Sequence, residues 1–242
     1  MRVLFTAAVS LLALAACGPT TPAAPTAEDI AKTSAELTAW FDAEYEEELQ
    51  MSPIGLTFQG RKDQYDKLDD YSEAAIDKKL EWRRASVAEM KEKFDPAKLD
   101  EDSRTSFDIW ALSLDMEEKG AKFRRSPYVF VKDGPHVFLP NFMINFHEVS
   151  EKSDLDAYVA RLGELARVMD QAIESAKLAA AEGNRAPRFA YDQSIQEAKN
   201  VIAGAPFGAG ADSALWADVK SEIKALQDSG KITAEEATAV QA

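Results

Sequence analysis

Apolar residues recur at every third or fourth position along most of this chain, and that period predicts a succession of amphipathic helices. Between Glu28 and Gln50, Leu37, Trp40, Phe41, Tyr45 and Leu49 fall at helical spacing. Acids fill the opposite face, and Glu44 to Glu48 reads as solvated with Tyr45 turned inward. Ser52-Pro53 ends this helix, because a proline disfavours helical geometry in the residue before it. Gly55 to Asp70 reads as a connection. A second helix is predicted from about Ser72 to Phe94, ended by Asp95-Pro96. A third runs from about Asp102 to Lys119, with Phe107, Trp110 and Leu114 on one stripe and Gly120 near its end.

The period breaks between Arg124 and Ser150. Tyr128-Val129-Phe130-Val131 has the β-branched and aromatic character of a short strand, and Asp133-Gly134-Pro135 reads as a turn. The segment from His136 to Phe146 is apolar and uncharged, so it is buried or it lines something. Helical spacing resumes at Ser153, a candidate N-cap, with Leu155, Tyr158, Val159, Leu162, Leu165, Ala166, Met169 and Ile173. Further helices are predicted from about Tyr191 to Ala203 and around Leu215, Val219, Ile223 and Leu226, separated by the Gly204 to Gly210 loop. Thr233-Ala-Glu-Glu236 is a capping box. The fold class expected is mainly α, a multi-helix array of antiparallel packed helices with one short extended or β segment near residues 127–147. The chain stops six residues after the last cap, which reads as truncation.

The first residues follow another logic. Met1-Arg2 is a positive n-region, Val3 to Ala13 an apolar stretch too short to span a bilayer, and Leu14-Ala15-Ala16-Cys17 resembles the lipobox of bacterial lipoproteins. Residues 1–16 are therefore expected to be a signal peptide and Cys17, the sole cysteine, a lipidated anchor. Gly18 to Ala27, rich in Pro, Thr and Ala, reads as a semi-rigid tether carrying a helical domain over 28–242. Gly18 offers no aspartate for inner-membrane retention. The expected location is the cell envelope, on the periplasmic face of the outer membrane.

The formal charge is −14, with 42 acids against 28 Lys and Arg. Such a chain repels nucleic acid and anionic surfaces, so neither is an expected partner. With its one cysteine committed to lipid, disulfides add nothing, and stability rests on packing.

Chemistry is sparse. There are two histidines, His136 and His147, whereas a zinc hydrolase site takes three protein ligands. His147-Glu148-Val149-Ser150-Glu151 only partly imitates a His-Glu-x-x-His helix, since Glu151 stands at the fifth position. No nucleophile motif occurs, and Gly208-Ala-Gly210 lacks the strand and basic residue of a phosphate loop. Two clusters remain. One is the aromatic segment from Gly134 to His147. The other is Arg185-Ala-Pro-Arg-Phe189, where Arg188 either holds an anionic ligand group or pairs with a local acid.

At these segments the sequence resembles the amino-terminal part of bacterial "domain of unknown function 885" proteins. The resemblance is carried by Trp40-Phe-Asp-Ala-Glu-Tyr-Glu-Glu-Glu-Leu49 with Met51-Ser-Pro53, and by Tyr65-Asp-Lys-Leu-Asp-Asp70. Gly134-Pro-His-Val-Phe-Leu-Pro-Asn-Phe142, Ala157 to Leu162, Asp170-Gln171, Ala186-Pro-Arg-Phe189 and Gly204-Ala-Pro-Phe207 follow in family order. It implies a lipid-anchored, helical, zinc-metallopeptidase-like protein. This chain would form its non-catalytic front part, with zinc and catalytic groups supplied from further downstream. His136, Arg188 and Tyr65 are the cleft-lining candidates that follow, with no catalytic and no metal residue in this chain. Hydrolysis by this chain alone is not expected. The alternative is a stand-alone lipoprotein that binds peptides or an envelope protein.

Overall fold

The computed structural model describes residues 24–241. The expected signal peptide, Cys17 and most of the expected tether lie outside the described residues. Thr26 starts the first helix, α1 (Ala27–Gln50), by a reciprocal box in which its Oγ1 accepts from Asp29 N–H and the Asp29 carboxylate accepts from Thr26 N–H. Ser52 then caps a short second helix, α2 (Pro53–Phe58), accepting from Gly55 N–H. Pro53 at its first position needs no N–H there and has φ already set. The residue read as a stop is therefore also a start, and the expected connection contains a helix.

Helices α3 (Glu73–Lys93) and α4 (Glu101–Ala121) pack against α1. Leu37, Trp40, Met90, Phe94, Leu99 and Phe107 form one core there, with Phe41 and Trp110 on its edge. Tyr45 does not turn inward. It is 51% exposed and Glu44 is buried, because positions 37, 40 and 44 follow the 3.6-residue period whereas 45 falls off it. Arg83 lies buried between these helices against the rings of Trp82 and Trp110. It donates to Glu48 of α1 at 2.8 Å and to Glu117 of α4 at 3.2 Å.

The remaining helices build a second core. These are α5 (Pro135–Phe146), α6 (Lys152–Ala181), α7 (Arg188–Val201), α8 (Ala214–Asp228) and α9 (Ala234–Gln241). Leu139, Phe142, Met143, Leu155, Tyr158, Val168, Val219, Ile223 and Leu226 meet in it. No helix among the described residues is long and apolar enough to cross a membrane.

The expected extended segment near residues 127–147 is corrected by this architecture. Tyr128 to Val131 forms bends, not a strand, and the segment after it is helix α5. Among the described residues the β-pairing is an isolated bridge, Ala205 to Asp212. A β-branched run without a neighbouring edge has nowhere to place its backbone hydrogen bonds. Pro135 at the first helical position instead starts a helix, which is apolar all round because α6, α7 and α8 contact it. Helix α6 begins one residue before Ser153, capped by Glu151 with Asp154 as its box partner.

Candidate functional site

Helix α5 is the element around which concave surface collects. Its N-cap is Gly134, where a Cβ would come 2.7 Å from the Val129 carbonyl oxygen, so only glycine lets the 128–134 loop fold down onto the helix start. A cavity of about 200 Å³ lies between α5, α6 and α7, lined by Pro135, Leu139, Pro140, Leu165, Met169 and Val201, with His136 as its one ionisable residue. A second, of about 380 Å³, opens on the other side of Pro135 and Leu139 between α3, α6 and the loop. Ile76, Tyr128, Val131, Phe138 and Val168 line it, with Asp133, Gln171 and Ser175 as polar groups on its wall. Tyr71 borders it too, its hydroxyl pushed up to about 12 by burial and by Asp69. Pro135 and Leu139 are common to both cavities, which makes one groove with an apolar floor.

His136 is buried and ties α5 to α7. Its Nε2 lies 3.0 Å from Glu197 Oε2. A carboxylate only accepts, so Nε2 carries the proton. Its Nδ1 is buried without a partner. Hydrogen bonds from Gln193 and then His136 hold the Glu197 carboxyl below the usual range.

Tyr65 belongs to a different place. It stacks on His147 with centroids 4.1 Å apart and donates to the Glu148 carbonyl at 3.1 Å. Beneath both lies Arg161, fully buried, donating to Lys67 O at 2.9 Å, Thr57 Oγ1 at 2.7 Å and His147 Nδ1 at 2.9 Å. His147 Nε2 donates to the Asp154 carbonyl at 2.9 Å, so its imidazole is neutral. Burial, seconded by the Arg161 charge, pushes it down to about 4. Burial likewise lowers Arg161 to about 10. This cluster fastens α2, the 61–71 loop and the end of α5 to α6, which is a structural task. Sequence reasoning passed over Arg161, although it stands three residues after Tyr158 on the apolar stripe.

Arg188 opens α7 and is almost fully exposed, with Asp192 3.6 Å away. The local-acid alternative describes its surroundings, and it lines neither cavity of the groove. His136 alone of the three sequence candidates borders the groove.

The residues present do not suit a zinc ion. His147 has both ring nitrogens engaged and His136 gives Nε2 to Glu197. Among the described residues no three His, Cys, Asp or Glu side chains gather in a way that could hold a metal.

The fold and site define a helical protein with a mostly apolar groove beside α5. Residues 53–242 match the family described as bacterial protein of unknown function (DUF885), and the chain belongs to that family. No curated protein and no solved structure matches it.

Proposed function

We propose that this chain is a lipid-anchored envelope protein whose helical body grips peptide segments by their apolar side chains. The groove beside α5 carries this reading: two adjoining apolar cavities share Pro135 and Leu139, with His136 on the wall of the smaller and Asp133, Gln171 and Ser175 on that of the larger. Binding sites for small organic groups are commonly concave, mostly apolar and edged by a few polar groups. The −14 charge favours neutral or cationic ligands over anionic ones. In this reading Cys17 holds the body at the periplasmic face of the outer membrane. Its role is the substrate-holding, non-catalytic front part of a zinc-peptidase-like assembly, with metal and catalytic groups supplied by residues other than these. A stand-alone binding lipoprotein would use the same groove.

Calorimetry with short cationic peptides carrying one or two phenylalanines tests the groove. Binding that Ser175→Phe and Ala198→Phe each weaken, at unchanged helicity, supports the reading. Both residues border the cavities, so binding indifferent to both substitutions sinks it. For the anchor, mass spectrometry of the envelope-extracted protein should find diacylglyceryl-modified Cys17. Release of the Cys17→Ser variant into the soluble fraction is the matching outcome.

A further inference from the structure

The two cavities of the groove differ in charge. No lysine or arginine lines either of them, and the larger carries a single charged residue, Asp133. The rings of Tyr71, Tyr128 and Phe138 line the same cavity, each partly exposed. The face of an aromatic ring is negative, as is the carboxylate, so such a wall suits an organic cation. The floor between these groups is apolar and suits an alkyl stem.

Asp133 has no other task among the described residues. It stands one residue before the α5 N-cap, and α5 begins with no side-chain hydrogen bond. The arginines that open its loop are spent elsewhere, Arg124 on Glu73 and Asp77, Arg125 on Glu73 and Glu182. Lys132 beside it acts on Glu197 of α7, which lines neither cavity. Asp69 adds to the negative field. It is bonded to the neutral donors Ser52 and Ile54, and it lies close enough to Tyr71 to assist burial in raising that hydroxyl.

We propose that the larger cavity takes a lysine or arginine side chain of a peptide, its charged head on Asp133 and its methylene stem on the apolar floor, while the smaller cavity takes an apolar side chain. This rests on the groove reading above and gives it a substrate class, peptides in which a basic residue follows an apolar one at close spacing. Long basic side chains lay their stems on apolar surface while the head stays polar. The cavities adjoin at Pro135 and Leu139. Alternate residues of an extended peptide face the same way, so residues two apart reach both cavities. An acidic residue in place of the basic one meets Asp133 with like charge and is refused.

Calorimetry of the full chain carrying Cys17→Ser tests the proposal with three acetylated, amidated tripeptides: Phe-Ala-Lys, Phe-Ala-norleucine and Phe-Ala-Glu. Norleucine keeps the alkyl stem of lysine and lacks its charge. The lysine peptide should bind at least about fivefold tighter than the norleucine peptide, and raised salt should shrink that preference. Asp133→Ser should abolish the preference while leaving the norleucine peptide's affinity unchanged. Asp133→Lys should turn it toward the glutamate peptide. Circular dichroism confirms that both loop variants keep their helices. Equal binding of the lysine and norleucine peptides overturns the proposal and leaves the apolar groove reading standing. So does a lysine preference that Asp133→Ser does not alter. Binding of none of the three overturns both.

Discussion

Arg161 donates through Nη1 to Nδ1 of His147 across 2.9 Å, so a buried guanidinium meets an imidazole on its lone-pair side. The proton of His147 is fixed on Nε2 by the Asp154 carbonyl. The pair works only with the imidazole neutral, and a second proton would bring two cations into contact inside the core.

Stability should therefore depend on the protonation of His147. Its folded value lies near 4, depressed chiefly by burial, against 6.5 when unfolded. Between these values the unfolded chain binds more protons, so stability rises with pH. The contribution is complete above about pH 6.5 and is lost as pH falls toward 4, amounting to roughly 3 kcal/mol. Urea unfolding at several pH values should show this slope, and His147→Gln should flatten it. An unchanged slope in that variant would remove His147 as the cause.

Arg161→Met should destabilise the fold by roughly 3 kcal/mol. It strands the Lys67 carbonyl and His147 Nδ1 and takes a donor from Thr57 Oγ1, which keeps only its bond to the Pro53 carbonyl. Arg161→Lys should recover little, because a single ammonium lacks the planar fork that reaches three partners at once. Denaturant midpoints of the three proteins decide the matter.

His136 should govern α7 locally and not the whole fold. Its bond to Glu197 is a polar tie between α5 and α7. His136→Phe should speed amide exchange in residues 188–201 about tenfold, a local opening cheaper by about 1.4 kcal/mol. Exchange in α6 should stay unchanged. Uniform acceleration across all helices would make His136 a general core residue instead.

Arg188→Ala should be nearly silent. An exposed pair with Asp192 is worth about 0.5 kcal/mol or less, and the guanidinium reaches neither cavity. Loss of peptide affinity in this variant would assign Arg188 a ligand contact at a distance from the groove.

The helices were legible because their information is local. The 3.6-residue period of Leu37 and Trp40, the stop at Asp95-Pro96 and the capping box at Thr233 each act within a few residues, and the structure reproduces them. His136 could be picked out as an unusual residue in an uncharged segment. Its neighbour Glu197 could not, being 61 positions away.

The sequence by itself determined a mainly helical body, some of its helix ends and a strongly acidic composition, since periodicity, caps and charge are properties of neighbouring residues. Tertiary structure decided what each helix buries. It made Pro135 to Phe146 a helix, because α6, α7 and α8 surround that segment and no strand edge lies beside Tyr128 to Val131. It put Glu44 inside and Tyr45 outside, drew Arg161 beneath Tyr65 and His147, and opened a groove on both sides of Leu139. Those outcomes depend on contacts between residues far apart in the chain, where the free energy of burial and of pairing buried polar groups overrides the preference of any one segment.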